Sequence, residues 1–156
     1  MKSWGIYIVA ALGFATYGAF TEADRDGSGA IVNEGTVDAF QVRAGDCFND
    51  SGTVEGEISD VPGVPCSDPH DNEAFAVIEL TIDSYPEGDV MGELAQESCL
   101  ERFDAFVGRD YESSSLDFFT MYPSTESWKQ DDREVVCAVY DMETNKLVGS
   151  VEGRAL

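Results

Sequence analysis

Four cysteines, Cys47, Cys66, Cys99 and Cys137, all follow one uncharged apolar segment running from Trp4 to Phe20. An N-terminal segment of this kind carries the rest of a chain out of the cytoplasm, where thiols oxidise and disulfides persist. The expected product is an exported domain stapled by two disulfides. As a helix, the segment spans roughly 26 Å, within the range that crosses a bilayer. Lys2 precedes it, and Glu22, Asp24 and Asp26 follow. That asymmetry places the N-terminus in the cytoplasm and the C-terminal part outside. Gly13-Phe14-Ala15 and Thr16-Tyr17-Gly18 are poor cleavage sites, and no cysteine follows the run to take a lipid. Residues 1–20 are therefore read as an uncleaved signal-anchor, with the lipid bilayer as the first partner and a single-pass cell-membrane location.

The formal net charge is −22, from 31 acidic and 9 basic residues. Such a surface repels nucleic acid, whose binding rests on neutralising phosphates with Lys and Arg, and it repels anionic lipid head groups. Solubility, salt tolerance and attraction of cations are its physical consequences.

Residues 21–38, rich in Asp, Glu and Gly, read as an acidic juxtamembrane linker, and residues 39–156 as one folded domain. Phe40, Val42 and Cys47-Phe48 read as a first strand broken at Ala44-Gly45-Asp46. Asn49–Asp60 reads as a polar loop or edge hairpin. Val61–Cys66 is extended, and Pro62 and Pro65 point to an edge position. Ala74–Ile82 alternates with Ala76, Ile78, Leu80 and Ile82 on one face. Asp89 as N-cap and Gly108 as stop frame a helix whose stripe is Met91, Ala95, Cys99, Phe103 and Phe106. Strands are expected at Asp117–Tyr122, Glu134–Tyr140 and Leu147–Val151, with a turn at Thr144-Asn145. One amphipathic helix among several strands gives an α+β domain with a small, mostly antiparallel sheet, two disulfides and a preceding transmembrane helix.

Four cysteines allow three connectivities. Cys47–Cys66 and Cys99–Cys137 is the preferred pairing. The first pins the proline-rich segment to the opening strand, and the second ties the helix's inner face to the inner face of a late strand. A four-thiolate zinc site normally uses closely spaced pairs, and this chain has none.

The cysteine-bearing strings occur in a defined order: Arg43-Ala44-Gly45-Asp46-Cys47-Phe48, then Val64-Pro65-Cys66-Ser67-Asp68-Pro69-His70-Asp71-Asn72-Glu73, then Cys99-Leu100-Glu101-Arg102-Phe103 leading to Phe106-Val107-Gly108, and finally Trp128 to Cys137. This order resembles the septum formation family of actinobacterial envelope proteins. Its members look like G-D-C-[FV], V-x-C-x-x-P-H-x-x-E, C-x-x-x-F…V-G and W-x-x-G-[DE]-R-x-x-x-C in one extracellular domain after a transmembrane helix. The resemblance covers about residues 40–153. Asp131 stands where the family more often has Gly. The resemblance implies a link to cell division and no established catalytic activity or ligand.

Several residues invite chemistry. His70, the one histidine, lies near Asp68, Asp71 and Glu73, the elements of a general base or a metal ligand set. The competing reading is a turn whose imidazole and carboxylates bond to backbone or to Arg133. Trp128, Asp132 and Arg133 form a second polar string, with Trp128 read as a lid over the sheet edge. Asp24, Asp26 and Ser28 match positions 1, 3 and 5 of a calcium loop, but position 12 is Gly35 rather than Glu. No nucleophile elbow or phosphate loop occurs. The sequence thus points to a non-enzymatic, membrane-anchored interaction or scaffold domain of the cell envelope, without a cofactor, binding an unidentified envelope or divisome protein. Exposed edge strands and the Asp68–Glu73 loop are its expected contact surfaces. The alternatives are a cell-wall hydrolase using His70 with Asp71 or Glu73, and a cation-binding acidic ectodomain.

Overall fold

The longest alternating apolar run becomes the centre of the sheet. The computed structural model describes residues 21–51 and 58–156, so the expected anchor and the middle of the expected Asn49–Asp60 loop lie outside the described residues. Among the described residues, no helix is long and apolar enough to cross a membrane.

The strands are β1 (Asp24–Arg25), β2 (Ile31–Asn33), β3 (Gly35–Asp38), β4 (Cys47–Phe48), β5 (Asp60–Val64), β6 (Asn72–Glu79), β7 (Leu116–Met121) and β8 (Glu134–Asp141). The helices are α1 (Val90–Val107) and the single turn α2 (Thr125–Trp128). β1 and β2 form a separate two-stranded hairpin. The other six strands make one antiparallel sheet in the order β3-β5-β4-β6-β8-β7.

β6 departs from strict alternation by a bulge between Ala74 and Ala76. The extra residue puts Phe75, Ala76 and Ile78 on the face that α1 covers and leaves Ala74 and Val77 on the other. Phe75 meets Phe103 of α1 and Phe118 of β7 edge-on, with centroids 6.0 and 6.1 Å apart. α1 buries Met91, Ala95, Cys99, Phe103 and Val107, and Phe106 packs half-buried at the margin. The helix stops at Gly108, whose φ of 82° suits a residue without a Cβ and whose N–H bonds to the Asp104 carbonyl. Cys99 and Cys137 are bridged in this core, and Cys47 is bridged to Cys66 where β4 meets β6.

Four expectations are corrected. First, the folded domain begins before Ala39. Ile31 and Val37 are buried, β3 pairs with β5, and residues 21–23 bond along the outer edge of β3. Gly63 makes this possible, because a Cβ there would lie 2.6 Å from Val37 and 2.9 Å from Ile31. The Arg25 guanidinium then grips the buried Asp46 carboxylate at 2.6 and 2.7 Å, fixing the hairpin to the turn before β4.

Second, residues 39–41 form a 3-10 turn rather than strand, and Phe40 is exposed. Third, β5 is an interior strand. Pro62 fits there because its carbonyl accepts from the Asn49 N–H at the point where β4 ends, so no return donor is required. Fourth, Leu147–Val151 forms no strand. Leu147 makes one antiparallel bridge with His70, and the rest of the tail is held by the Glu73 side chain and by single backbone bonds from Gly149, Gly153 and Ala155.

The loop lengths rank the two disulfides. Cys99–Cys137 closes a separation of 38 residues and Cys47–Cys66 one of 19. Removing the first as C99A/C137A is expected to cost about 4 kcal/mol and the second as C47A/C66A about 3 kcal/mol, measured by denaturant unfolding under non-reducing conditions.

Candidate functional site

The residues singled out in the sequence fall into two groups at opposite ends of β6 and β8. Antiparallel pairing sets Asn72 opposite Tyr140 and Glu79 opposite Glu134. Asp68, His70, Asp71 and Glu73 therefore lie at one end. Trp128, Asp132 and Arg133 lie at the other, about 25 Å away along the strands. The expected bond between the His70 turn and Arg133 does not form.

At the first end, His70 is wholly buried. Its Nδ1 donates to the Asp68 carbonyl at 2.8 Å, and its backbone exchanges bonds with Leu147. Among the described residues, Nε2 has no hydrogen-bond partner. Glu73 is also buried, and its two oxygens accept from Ser150 Oγ at 2.6 Å and from the Val151 N–H at 2.7 Å. The Gly149 N–H bonds to the Cys66 carbonyl. Together these contacts clamp the tail from Leu147 to Val151 onto the sheet.

Asp71 pairs with Lys146 at 2.7 Å and accepts from the Asp50 N–H. Burial pulls the Asp71 carboxyl up, but Lys146 and the Asp50 N–H outweigh it and hold the group below its ordinary value. The sulfurs of Cys47 and Cys66 lie close to the Glu73 carboxylate, yet both are spent in a disulfide and offer no thiolate.

At the second end, Trp128 is buried, as the lid reading requires. Tyr85 meets it edge-on at 5.8 Å, and the Arg133 guanidinium sits 3.6 Å from its ring centroid. Arg133 donates to the carbonyls of Trp128 and Asp132. Asp132 accepts from Ser127 Oγ and from the Glu134 N–H. Asp131 has a φ of 72°, the left-handed conformation that favours glycine. This gives the family's usual Gly a physical reason.

The calcium-loop resemblance becomes the turn of the β1–β2 hairpin. The Asp24 carboxylate accepts from Asn33, and Asp26 Oδ1 accepts from Ser28 Oγ, the Ser28 N–H and the Ala30 N–H. These contacts, the Ser28 hydroxyl first, hold the Asp26 carboxyl below its ordinary value.

The expected docking edges are also engaged. Residues 21–23 cover β3. On β7, the Leu116 N–H donates to Ser114 Oγ and the Phe118 N–H to the Asp117 carboxylate, which blunts the edge against a further strand. Asp117 also receives the hydroxyls of Tyr111 and Tyr140 at 2.7 and 3.0 Å. The bond to Asp117, aided by burial, pushes the Tyr111 hydroxyl up to about 12.

What the sequence did not reveal is a sheet face that, among the described residues, is partly open. Opposite α1, β7 and β8 carry the half-buried Phe119, Met121 and Tyr140 around the buried Val136. Two hollows of about 410 and 520 Å³ lie there and meet at Ile58 and Met121. Phe40, Ile58 and Tyr122 stand exposed beside them. The only sequence signal was the second face of the Glu134–Tyr140 alternation, where Val136 and Ala138 leave no polar surface.

A family model described as septum formation matches residues 29–155. No curated protein and no solved structure matches the chain.

Two outcomes follow from the clamp and the strained turn. Glu73→Ala is expected to cost about 3 kcal/mol and to abolish hydrogen-exchange protection at Val151 and Gly153 while the amides of α1 stay protected. Asp131→Gly is expected to be tolerated or slightly stabilising, whereas Asp131→Val costs about 1–2 kcal/mol in thermal unfolding.

Proposed function

The chain belongs to the septum formation family, and on that premise we propose that it is a non-enzymatic, membrane-anchored interaction module of the cell envelope, acting outside the cytoplasm at sites of septation. The observation that carries this reading is the open face of the sheet. Folded domains seldom leave contiguous apolar surface beside exposed Phe40, Ile58 and Tyr122 unless something covers it. The two disulfides accord with an oxidising compartment, and the apolar run Trp4–Phe20 accords with an anchor.

The hydrolase alternative needs His70 with Asp71 or Glu73. A general base must reach a substrate proton within hydrogen-bond distance. His70 is buried without an exposed atom, and both Glu73 oxygens are occupied by the tail. The cation alternative centres on Asp24, Asp26 and Ser28, where one oxygen of each carboxylate accepts hydrogen bonds within the hairpin and the Ser28 hydroxyl donates to Asp26.

The test combines imaging with capture. A fluorescent fusion of the full chain is expected to concentrate at septa, and a photo-crosslinker at Tyr122 to capture an envelope protein that one at Leu100, on the solvent side of α1, does not. His70→Phe is expected to leave septation intact. An even distribution around the envelope, together with the same captures from both positions, would falsify the module.

A further inference from the structure

The module reading leaves its partner's chemistry open, and the groove itself narrows it. We propose that the groove over β7 and β8 binds an extended segment of a partner protein in which apolar side chains alternate with Lys or Arg. This inference rests on the reading above and specifies the ligand class of the same face.

Length comes first. The groove follows the open face of β8 from Val136 to Tyr140, with Glu134 at one end and Asp141 at the other. Seven steps at strand rise give about 23 Å, room for an extended peptide of about seven residues. Next comes the floor. The half-buried Phe119 and Met121 form its accessible part, set among the buried Phe48, Val61 and Val136, and Phe119 meets Phe48 edge-on at 6.3 Å. Such a floor rewards aliphatic and aromatic side chains, which an extended peptide presents on one face at every second position.

The rim decides the sign. Asp50, Asp71 and Asp141 border one hollow, and Asp132 and Glu134 the other. Among the described lining residues there is no Lys or Arg. Lys146 pairs with Asp71 but lines neither hollow. Side chains on the peptide's other face point away from the floor, and long ones reach back to this rim within the field of a protein of net charge −22. Basic residues there gain complementary potential, and acidic ones are repelled. The same field argues against a second copy of this chain, against nucleic acid and against an anionic lipid surface. A strand added to an edge is also disfavoured, because residues 21–23 cover β3 and side chains cap β7 N–H groups. The occupant is therefore recognised through side chains laid on the face rather than through an extended ladder.

The experiment uses the purified full chain in zwitterionic detergent and three fluorescent heptapeptides: Lys-Phe-Lys-Leu-Lys-Val-Lys, its Glu-for-Lys counterpart, and its Ser-for-apolar counterpart. Fluorescence anisotropy is expected to show the first binding at least about tenfold tighter than either of the others. Met121→Lys and Glu134→Lys are each expected to weaken it at least about tenfold, and Leu100→Lys on the helix side to leave it unchanged. Phe40→Ser, at an exposed position, provides a second groove variant if Met121→Lys fails to fold. Equal binding of the Ser-containing peptide means bulk charge attraction and overturns the proposal. So does binding that the groove variants leave untouched. Septal localisation without peptide binding removes this inference and keeps the module. Peptide binding by a chain absent from septa keeps the groove chemistry and removes the module's place of action.

Discussion

The structure depends on a buried carboxylate. Glu73 sits on β6, opposite Cys47 on one side and Val139 on the other. A carboxyl group in that position is costly unless its oxygens are hydrogen-bonded. The tail meets the requirement, with Ser150 Oγ on one oxygen and the Val151 N–H on the other. The C-terminal segment is thus obliged to return to the sheet. Once there, Leu147 and Val151 join the apolar core beneath α1, and the N–H groups of Gly153 and Ala155 bond to carbonyls at the end of that helix. One buried side chain thereby links β4, β6, the tail and the end of α1. The Cys47–Cys66 bridge next to it ties β4, the strand opposite Glu73, to the loop that leads into β6.

The two faces of the sheet have different work. The bulge at Ala74–Ala76 puts two consecutive side chains, Phe75 and Ala76, under α1, which thickens the packing there. Phe75, Phe103, Phe106 and Phe118 form a ring cluster, and Cys99–Cys137 crosses it. Among the described residues, the opposite face receives the β1–β2 hairpin over β3 and β5, pinned by Arg25 on Asp46. β7 and β8 extend beyond that cover. A sheet of six strands needs two covering layers to bury both faces. Among the described residues this domain has one full layer and part of another.

The sequence revealed the parts whose signals are local. α1 declares itself by a stripe at helical spacing between Asp89 and Gly108, and β8 by Val135, Cys137 and Val139. The cysteine pairing was legible because two of the partners lie on the inner faces of those two elements. The N-terminal strands were not legible, because β1 to β3 are two to four residues long and carry Asp, Arg, Asn and Gly. Their stability is non-local: Arg25 finds Asp46 21 positions away, and Val37 needs Gly63. Pro62 and Pro65 misdirected the placement of β5, since proline forbids only the donor side of one ladder. His70 was ambiguous for a related reason. Sequence shows a titratable group beside carboxylates, while burial alone decides whether such a group faces a substrate or a backbone carbonyl.

An acidic surface by itself selects few partners, because any basic protein is drawn to it and salt screens the attraction within about 10 Å. Bulk charge of this kind raises encounter rates, and affinity and discrimination come from groups removed from water. The open face supplies what the charge lacks. Its apolar floor rewards only a partner that brings side chains to bury, and the carboxylates at its rim reject those that bring acid. The field of the whole domain then gathers candidates, and a strip of sheet about 23 Å long sorts them. In that division the numerous acidic pairs of the chain need no individual role, and the few carboxylates beside Phe119, Met121 and Val136 carry the specificity.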